Sequence, residues 1–336
     1  MELRTNTRVL NVRAFTGMCN RLTALVTGLA LAEASGRSFT MFWQPYDPCM
    51  CRFDQLFQND WDVRADPDHS KIVWTDLAKT AEADFPDLLA SPQPVLSVIR
   101  NGQLIQPKTY PHHRSLDRRA QQLLNELEPI PEIAARIENF RAAYFRPKMI
   151  GVHLRRGDFI LYRPDMAANL DAALGAVDKW LNAAPDAGIL LCTDDGALVP
   201  RDHSTTGYEG VRETFQERYG SRVVWTTPRS LDRRTPEAIQ DGLVDFMLLR
   251  QTDFFVGSQA SSFSGLAVYG RSIPKVIVTG MTEQSRRTLH LLYKTRLIYL
   301  LFPLIRREFG GLVHPSLLFA RYKQRWRLVQ RRLRFK

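Results

Sequence analysis

Met149-Ile-Gly-Val-His-Leu-Arg-Arg-Gly-Asp158 decides the reading of this chain. The run from Met149 to Leu154 is mostly apolar, and it stops abruptly at Arg155, Arg156 and Asp158. A short apolar run with a sharp polar end reads as a strand buried on both faces of a parallel sheet. Two adjacent arginines at the end of such a strand are costly unless an anion or a carboxylate meets them. The carboxyl ends of strands in open α/β sheets are also where ligands bind. The segment therefore reads as a site for a phosphorylated ligand. The alternative is an arginine pair salt-bridged to Asp158 and its neighbours. His153 alternates with Val152 and Leu154, so it points to the other face, as a ligand contact or as a core histidine with a satisfied ring.

Outward from this run, strands and helices alternate. Downstream, Met166 to Leu181 reads as a helix and Gly188 to Cys192 as a strand that ends in Thr193-Asp194-Asp195. Arg222 to Thr226 reads as a strand, Thr235 to Arg250 as an amphipathic helix, and Phe254 to Gly257 as a strand. A polar loop, Ser258 to Ser262, then leads into a helix to Tyr269 and a strand from Lys275 to Thr279. Upstream, Val9 to Phe15 reads as a strand and Thr16 to Arg21 as a turn. Leu22, Leu25, Val26 and Leu29 have helical spacing, Gly36 is placed to end that helix, and Ser38 to Trp43 follows as a strand. Residues 44–70 read as loops, and Leu116 to Phe145 as helix broken near Pro129 and Pro131. Strands alternating with helices predict parallel sheets covered on both faces. The expected class is α/β, with two Rossmann-like domains facing a cleft.

The 336 residues also favour two cores over one. The expected boundaries are an N-terminal domain over 1–146, a C-terminal domain over 147–284 and a basic amphipathic extension over 285–336. Nothing at the N-terminus resembles a signal peptide, and the longest apolar run, Leu297 to Ile305, is too short for a membrane span. Cys19, Cys49, Cys51 and Cys192 form no disulfide framework, so a cytoplasmic location is expected. The net charge of +11 is concentrated in the tail. Arg321 to Lys336 holds eight positive charges and no acid, leaving +3 (eleven less eight) for the other 320 residues. Such a distribution argues against a general nucleic-acid binder. Tyr322, Trp326, Val329 and Leu333 would share one face of a helix, the pattern of an interfacial helix on the inner face of a membrane. A tail packed on the protein's own core explains the same stripe.

Three constellations bear chemistry. The guanidinium groups of Arg155 and Arg156 suit bidentate contact with a pyrophosphate, and Asp158 can orient one of them. Asp245 lies among Val244, Phe246, Leu248 and Leu249, where a carboxylate needs partners. The ring N–H and exocyclic amine of guanine would supply two, and a capping or arginine-paired Asp is the alternative. Ser261 and Ser262 precede a helix, so they suit a phosphate or an N-cap, with Ser262 as the capping residue. Gly17, Asn20 and Arg21 form a third group, with a close backbone approach and two donors at a helix start. Asp194 and Asp195 are an acidic pair, but strand-end aspartates also cap helices and no third ligand is evident, so no metal is assigned.

Together these segments resemble the fucosyltransferase superfamily that includes α-1,6- and α-1,2-fucosyltransferases, nodulation-factor fucosyltransferases and protein O-fucosyltransferases. The matching pieces are Gly17-x-x-Asn20-Arg21, His153-Leu-Arg155-Arg156-Gly-Asp158, Thr193-Asp194-Asp195, and Asp245 with Ser261-Ser262. They span about residues 8–280, without the tail. The resemblance implies a GT-B fold, GDP-fucose as donor, inversion at the anomeric carbon and no required metal or other cofactor. By motif, Arg155 would hold the β-phosphate and stabilise departing GDP, and Arg156 would support it. His153 and Asp245 would contact the nucleoside, Ser261 a phosphate, and Asn20 and Arg21 the sugar. Asp165 is the nearest candidate for the catalytic base. The expected partners are a GDP-sugar and a glycan or lipid-linked acceptor, with an anionic membrane surface under the tail and no nucleic acid. Alternatives are a transferase for another GDP-sugar such as GDP-mannose, and a non-catalytic basic membrane-binding protein.

Overall fold

The computed structural model describes residues 8–65, 72–76, 89–90, 92–104, 113–156, 170–194 and 210–278. They form two five-stranded sheets whose pairings are all parallel. The first contains β1 (Val9–Arg13), β2 (Ser38–Phe42), β3 (Val63–Arg64), β4 (Thr75–Asp76) and β5 (Val95–Ile99), in the order β3-β2-β1-β5-β4. The second contains β6 (Met149–Leu154), β7 (Gly188–Thr193), β8 (Val223–Val224), β9 (Phe254–Ser258) and β10 (Lys275–Val278), in the order β10-β9-β6-β7-β8. In each sheet the first strand is central and the chain later crosses to its other side. The crossing creates a switch point between β1 and β5, and another between β6 and β9. Crevices at such points, outside the carboxyl ends of the strands, are where open α/β sheets bind ligands.

All six residues of β6 are buried, as expected for a central parallel strand covered on both faces. Helix α1 (Met18–Ser35) follows β1 and ends where Gly36 adopts φ 62°, its N–H bonding the carbonyls of Ala32 and Glu33. That left-handed cap is the role a glycine fills at little steric cost. The helix starts before Leu22, because the amides of Asn20 and Arg21 already bond the Gly17 carbonyl. Asn20 and Arg21 thus lie in a first helical turn, not in a loop. Helices α2 (His113–Asn125) and α3 (Pro131–Tyr144) form the interrupted helical stretch, with Pro131 at the permitted first position of α3. The second half adds α4 (Leu170–Ala183), α5 (Val211–Tyr219), α6 (Pro236–Leu249) and α7 (Ser262–Ala267).

Two elements carry little sequence signal. Strand β5 is interrupted by Ser97, which faces Asn11 across the ladder and accepts a hydrogen bond from its amide at 3.0 Å. Each polar side chain satisfies the other, so a strand interior tolerates both. Helix α5 buries only Val211 and Phe215, one turn apart, and is otherwise polar.

The halves meet through an apolar seam. Ile239, Leu243 and Phe246 of α6 and Leu266 of α7 belong to the same buried cluster as Leu22 and Leu25 of α1. Helix α6 packs on α3, and α7 on α1. Polar contacts flank the seam: Arg136 Nη2 to Asp241 Oδ1 at 2.7 Å, Arg250 Nη2 to Asn125 Oδ1 at 2.5 Å, and Tyr269 Oη to Asp117 Oδ1 at 2.5 Å. Asp241 is buried and also accepts from the Arg229 amide and Nε, so its charge is well matched.

Candidate active site

The switch point of the second sheet gathers most of the motif residues. His153 on β6 lies opposite Gly257 on β9. Ser258, at the end of β9, donates its hydroxyl to the His153 carbonyl at 3.0 Å and accepts from the Arg155 amide at 2.7 Å. One serine therefore ties the exits of both strands together. Ser264 Oγ accepts from the Ser258 amide at 3.0 Å and lies 2.6 Å from His153 Nδ1. Among the described residues no other acceptor meets that hydroxyl, so we assign its proton to Nδ1, which places the His153 proton on Nε2. The ring stacks on Phe263 with centroids 4.6 Å apart. Burial, and then the positive charge of Arg155, lower the His153 pKa to about 3. His153 is therefore a neutral, fixed donor through Nε2, and not a titrating acid or base near neutrality.

The arginine pair does find a carboxylate, Asp194; Asp158, the partner considered from the sequence, lies outside the described residues. Asp194 Oδ2 lies 2.6 Å from Arg155 Nη1, and its Oδ1 accepts from the Arg156 amide at 2.7 Å. Thr193 Oγ1 donates to the Leu154 carbonyl at 3.0 Å. The Thr-Asp pair ending β7 thus holds the end of β6 from one side while Ser258 holds it from the other. Arg155 and Asp194 both keep part of their side chains exposed, with 18% and 22% of their area accessible. The guanidinium is aimed by a partner yet still open to a ligand.

The serine loop passes through Ala260, a non-glycine residue at φ 57°. A left-handed alanine is strained, and such strain clusters at ligand loops. Ser261, not Ser262, caps α7: its Oγ accepts from the Ser264 amide at 3.3 Å, while Ser262 is the exposed first helical residue. Accepting that bond leaves the Ser261 hydroxyl proton free to donate outward.

Asp245 faces the second sheet from α6. Its Oδ1 accepts from Thr226 Oγ1 at 2.5 Å, and the buried Cys192 thiol at the end of β7 is hydrogen-bonded to the same carboxylate. Burial raises the Asp245 pKa to about 6, against the opposing pull of Thr226 and Arg212. Asp245 as a whole residue is half-buried, with its carboxyl group at the enclosed end. Thr226, Cys192, Ser258, Ser264 and Asp194 all support motif residues. Of these, the sequence marks Ser258 as the start of the polar loop and Asp194 as part of the Thr193-Asp194-Asp195 motif, but it gives neither a partner on β6.

In the first sheet, Gly17, Asn20 and Arg21 sit at the exit of β1, and they diverge in role. Asn20 is partly exposed beside Gly102, whose φ of 94° turns the chain after β5. Arg21 is fully buried: Nε donates to the Thr16 carbonyl at 2.7 Å and Nη1 to the Gln44 carbonyl at 2.6 Å. Its guanidinium also lies over the Trp43 and Tyr46 rings, at 5.4 and 4.9 Å from their centroids. Arg21 therefore braces the turn from inside, and a sugar on the surface would not reach it. Asp158, Asp165, Asp195 and the basic tail lie outside the described residues. Among the described residues, no group of His, Cys, Asp and Glu is arranged to hold a metal, and no helix is long and apolar enough to cross a membrane.

No protein-family model and no curated protein matches the chain. Solved structures do. A NodZ alpha-1,6-fucosyltransferase soaked with GDP-fucose superposes with a TM-score of 0.54 at 17% identity, over 79% of this chain and 93% of that one. Fucosyltransferase NodZ from Bradyrhizobium gives 0.53 at 16% identity, over 78% and 92% of the two chains. An Arabidopsis thaliana FUT1 mutant in complex with GDP gives 0.55 at 14% identity, over 82% and 71%. The resemblance carried by the motifs is thus matched by one in architecture: the chain has the GT-B fold of these fucosyltransferases.

Proposed function

We propose that the protein is a glycosyltransferase that moves fucose from GDP-fucose to a hydroxyl of a glycan or glycolipid, with inversion and without a required metal. The observation that carries this reading is the pairing, along one edge of the second sheet, of a desolvated carboxylate, Asp245, with an aimed arginine, Arg155. Asp245 suits the two parallel N–H donors of guanine, and Arg155 suits a phosphate. Rupture of the sugar–phosphate bond leaves positive charge on the sugar and negative charge on the pyrophosphate. Arg155, held by Asp194, stabilises the second charge without having to reorganise. His153 Nε2–H and the Ser261 hydroxyl are further fixed donors beside it. The acceptor hydroxyl must lose a proton, and Asp165 is the carboxylate we assign to take it. Of the solved structures named above, one was soaked with GDP-fucose and another is a complex with GDP, which supports the choice of donor.

A thermal-shift panel tests the reading. GDP, GDP-fucose and GDP-mannose should raise the melting temperature, while UDP and ADP should not, since ligand binding to the native state stabilises it by mass action. Stronger stabilisation by GDP-mannose than by GDP-fucose would move the donor assignment to mannose. Equal shifts from all nucleotides would remove the guanine argument. GDP-fucose turnover should persist in EDTA, and its loss there with recovery in Mn²⁺ would overturn metal independence.

The basic tail supports a second part of the proposal, that the protein docks on an anionic membrane surface carrying its acceptor. Each of the eight basic residues from Arg321 to Lys336 would add roughly 1 kcal/mol near such a surface. The full chain should sediment with anionic vesicles at low salt, and a truncation ending at Ala320 should not. Equal binding by both would contradict a membrane role for the tail. Loss of folding in the truncated protein would assign the apolar stripe to the core.

A further inference from the structure

Arg212 stands in a place that no motif explains. It is the second residue of α5, where a cation opposes the helix dipole. Among the described residues no carboxylate or carbonyl accepts from its guanidinium, and its Nε is buried without a hydrogen-bond partner. What it does touch is Trp225, with the guanidinium carbon 5.7 Å from the ring centroid. Trp225 is half-buried at the exit of β8, beside Thr226, which in turn holds Asp245. The charge of Arg212 reaches that cluster, lowering the pKa values of Asp245 and Cys192 against the effect of burial. An arginine in an unfavourable position, with a flat ring beneath it and a buried Nε that no described residue meets, calls for an acceptor that the described residues do not supply.

We infer that Arg212, stacked on Trp225, donates to O6 of a guanine whose N1–H and amino group are accepted by Asp245. This assignment deepens the function proposed above and rests on it. The edge of guanine presents donor, donor and acceptor in a row. A carboxylate reads the two donors, and an adjacent guanidinium reads the oxygen. Adenine carries an amino group at the oxygen's position, which would face the arginine with a donor. Uracil flanks a single N–H with two carbonyls, one of which would meet the carboxylate. Asp245 alone distinguishes guanine by its amine, whereas Arg212 adds a test of the oxygen. Trp225 gives the guanidinium a fixed plane, which limits the freedom lost on binding.

The test compares GDP with 6-thio-GDP, in which a poor acceptor replaces O6, and with IDP, which lacks only the amine. Calorimetric titration of the wild type should show 6-thio-GDP binding about tenfold or more weaker than GDP, the scale of one charge-assisted hydrogen bond. Arg212→Met keeps the stem over Trp225 and removes every donor. It should bind GDP and 6-thio-GDP alike while keeping the preference of GDP over IDP that Asp245 provides. An arginine with only a structural role would lower both affinities and leave their ratio as in wild type, which overturns the assignment. Should Arg212→Met fail to fold, the wild-type comparison decides alone: equal binding of GDP and 6-thio-GDP overturns the assignment. No binding of GDP overturns it together with the GDP-sugar reading. GDP binding with an unchanged analogue ratio overturns the Arg212 assignment and leaves that reading standing.

Discussion

Replacing Arg155 by lysine should lower GDP-fucose turnover by about 10²-fold or more, the scale of removing one preorganised electrostatic donor from a transition state. The change keeps the positive charge, so a role in mere attraction would be spared. What it removes is the planar fork. In the folded protein one arm of that fork, Nη1, is bonded to Asp194 at 2.6 Å. A lysine ammonium has one nitrogen, which cannot meet Asp194 and a phosphate in the same separated geometry. GDP affinity should fall much less than turnover, because the charge that Arg155 stabilises develops as the bond breaks. Steady-state kinetics alongside GDP titration checks this, and near wild-type turnover in the lysine variant would take Arg155 out of the chemistry.

Replacing Asp245 by asparagine should weaken GDP by roughly 1–3 kcal/mol, through donors left without their acceptor. The same change should stabilise the empty protein near neutral pH. The folded-state pKa of about 6 lies above the ordinary value of 3.8, so the fold prefers the neutral carboxyl. Stability from that preference is fully present below the ordinary value and is lost as pH rises through about 6. At about pH 7.5 the wild type carries the cost of a buried charge that asparagine lacks, and the gap should close near pH 4. Guanine requires the ionised form, so GDP affinity should fall by up to tenfold per pH unit below about 6. The terminal phosphate of GDP titrates near 6 as well, so the asparagine variant is the control for that contribution. A melting temperature that drops in the variant, or identical pH profiles for GDP binding, would contradict this account of Asp245.

How far the sequence revealed these sites depends on where the partners come from. The buried β6 and its polar end were legible because a central parallel strand needs an unbroken apolar run. The cap at Gly36 was legible because a left-handed turn selects glycine. What the arginines pair with was not, since Asp194 lies 39 positions beyond Arg155 and reaches it only once β7 is beside β6. Arg21 misled for the opposite reason. A donor at a helix start looks available to a ligand until the loop carrying Trp43 and Tyr46 folds over it. The Ser261 cap differed by one residue from the reading, within the ordinary uncertainty of helix ends. Arg212 gave no signal, because its meaning depends on Trp225 and Asp245, which arrive from two other elements.

The most direct test of the central claim is an experimental structure of the protein with GDP bound. The account predicts the guanine edge on the Asp245 carboxylate and the β-phosphate on Arg155, with the nucleotide running along the ends of β8, β7 and β6. Guanine bound away from Asp245, or phosphates that do not contact Arg155, would contradict it.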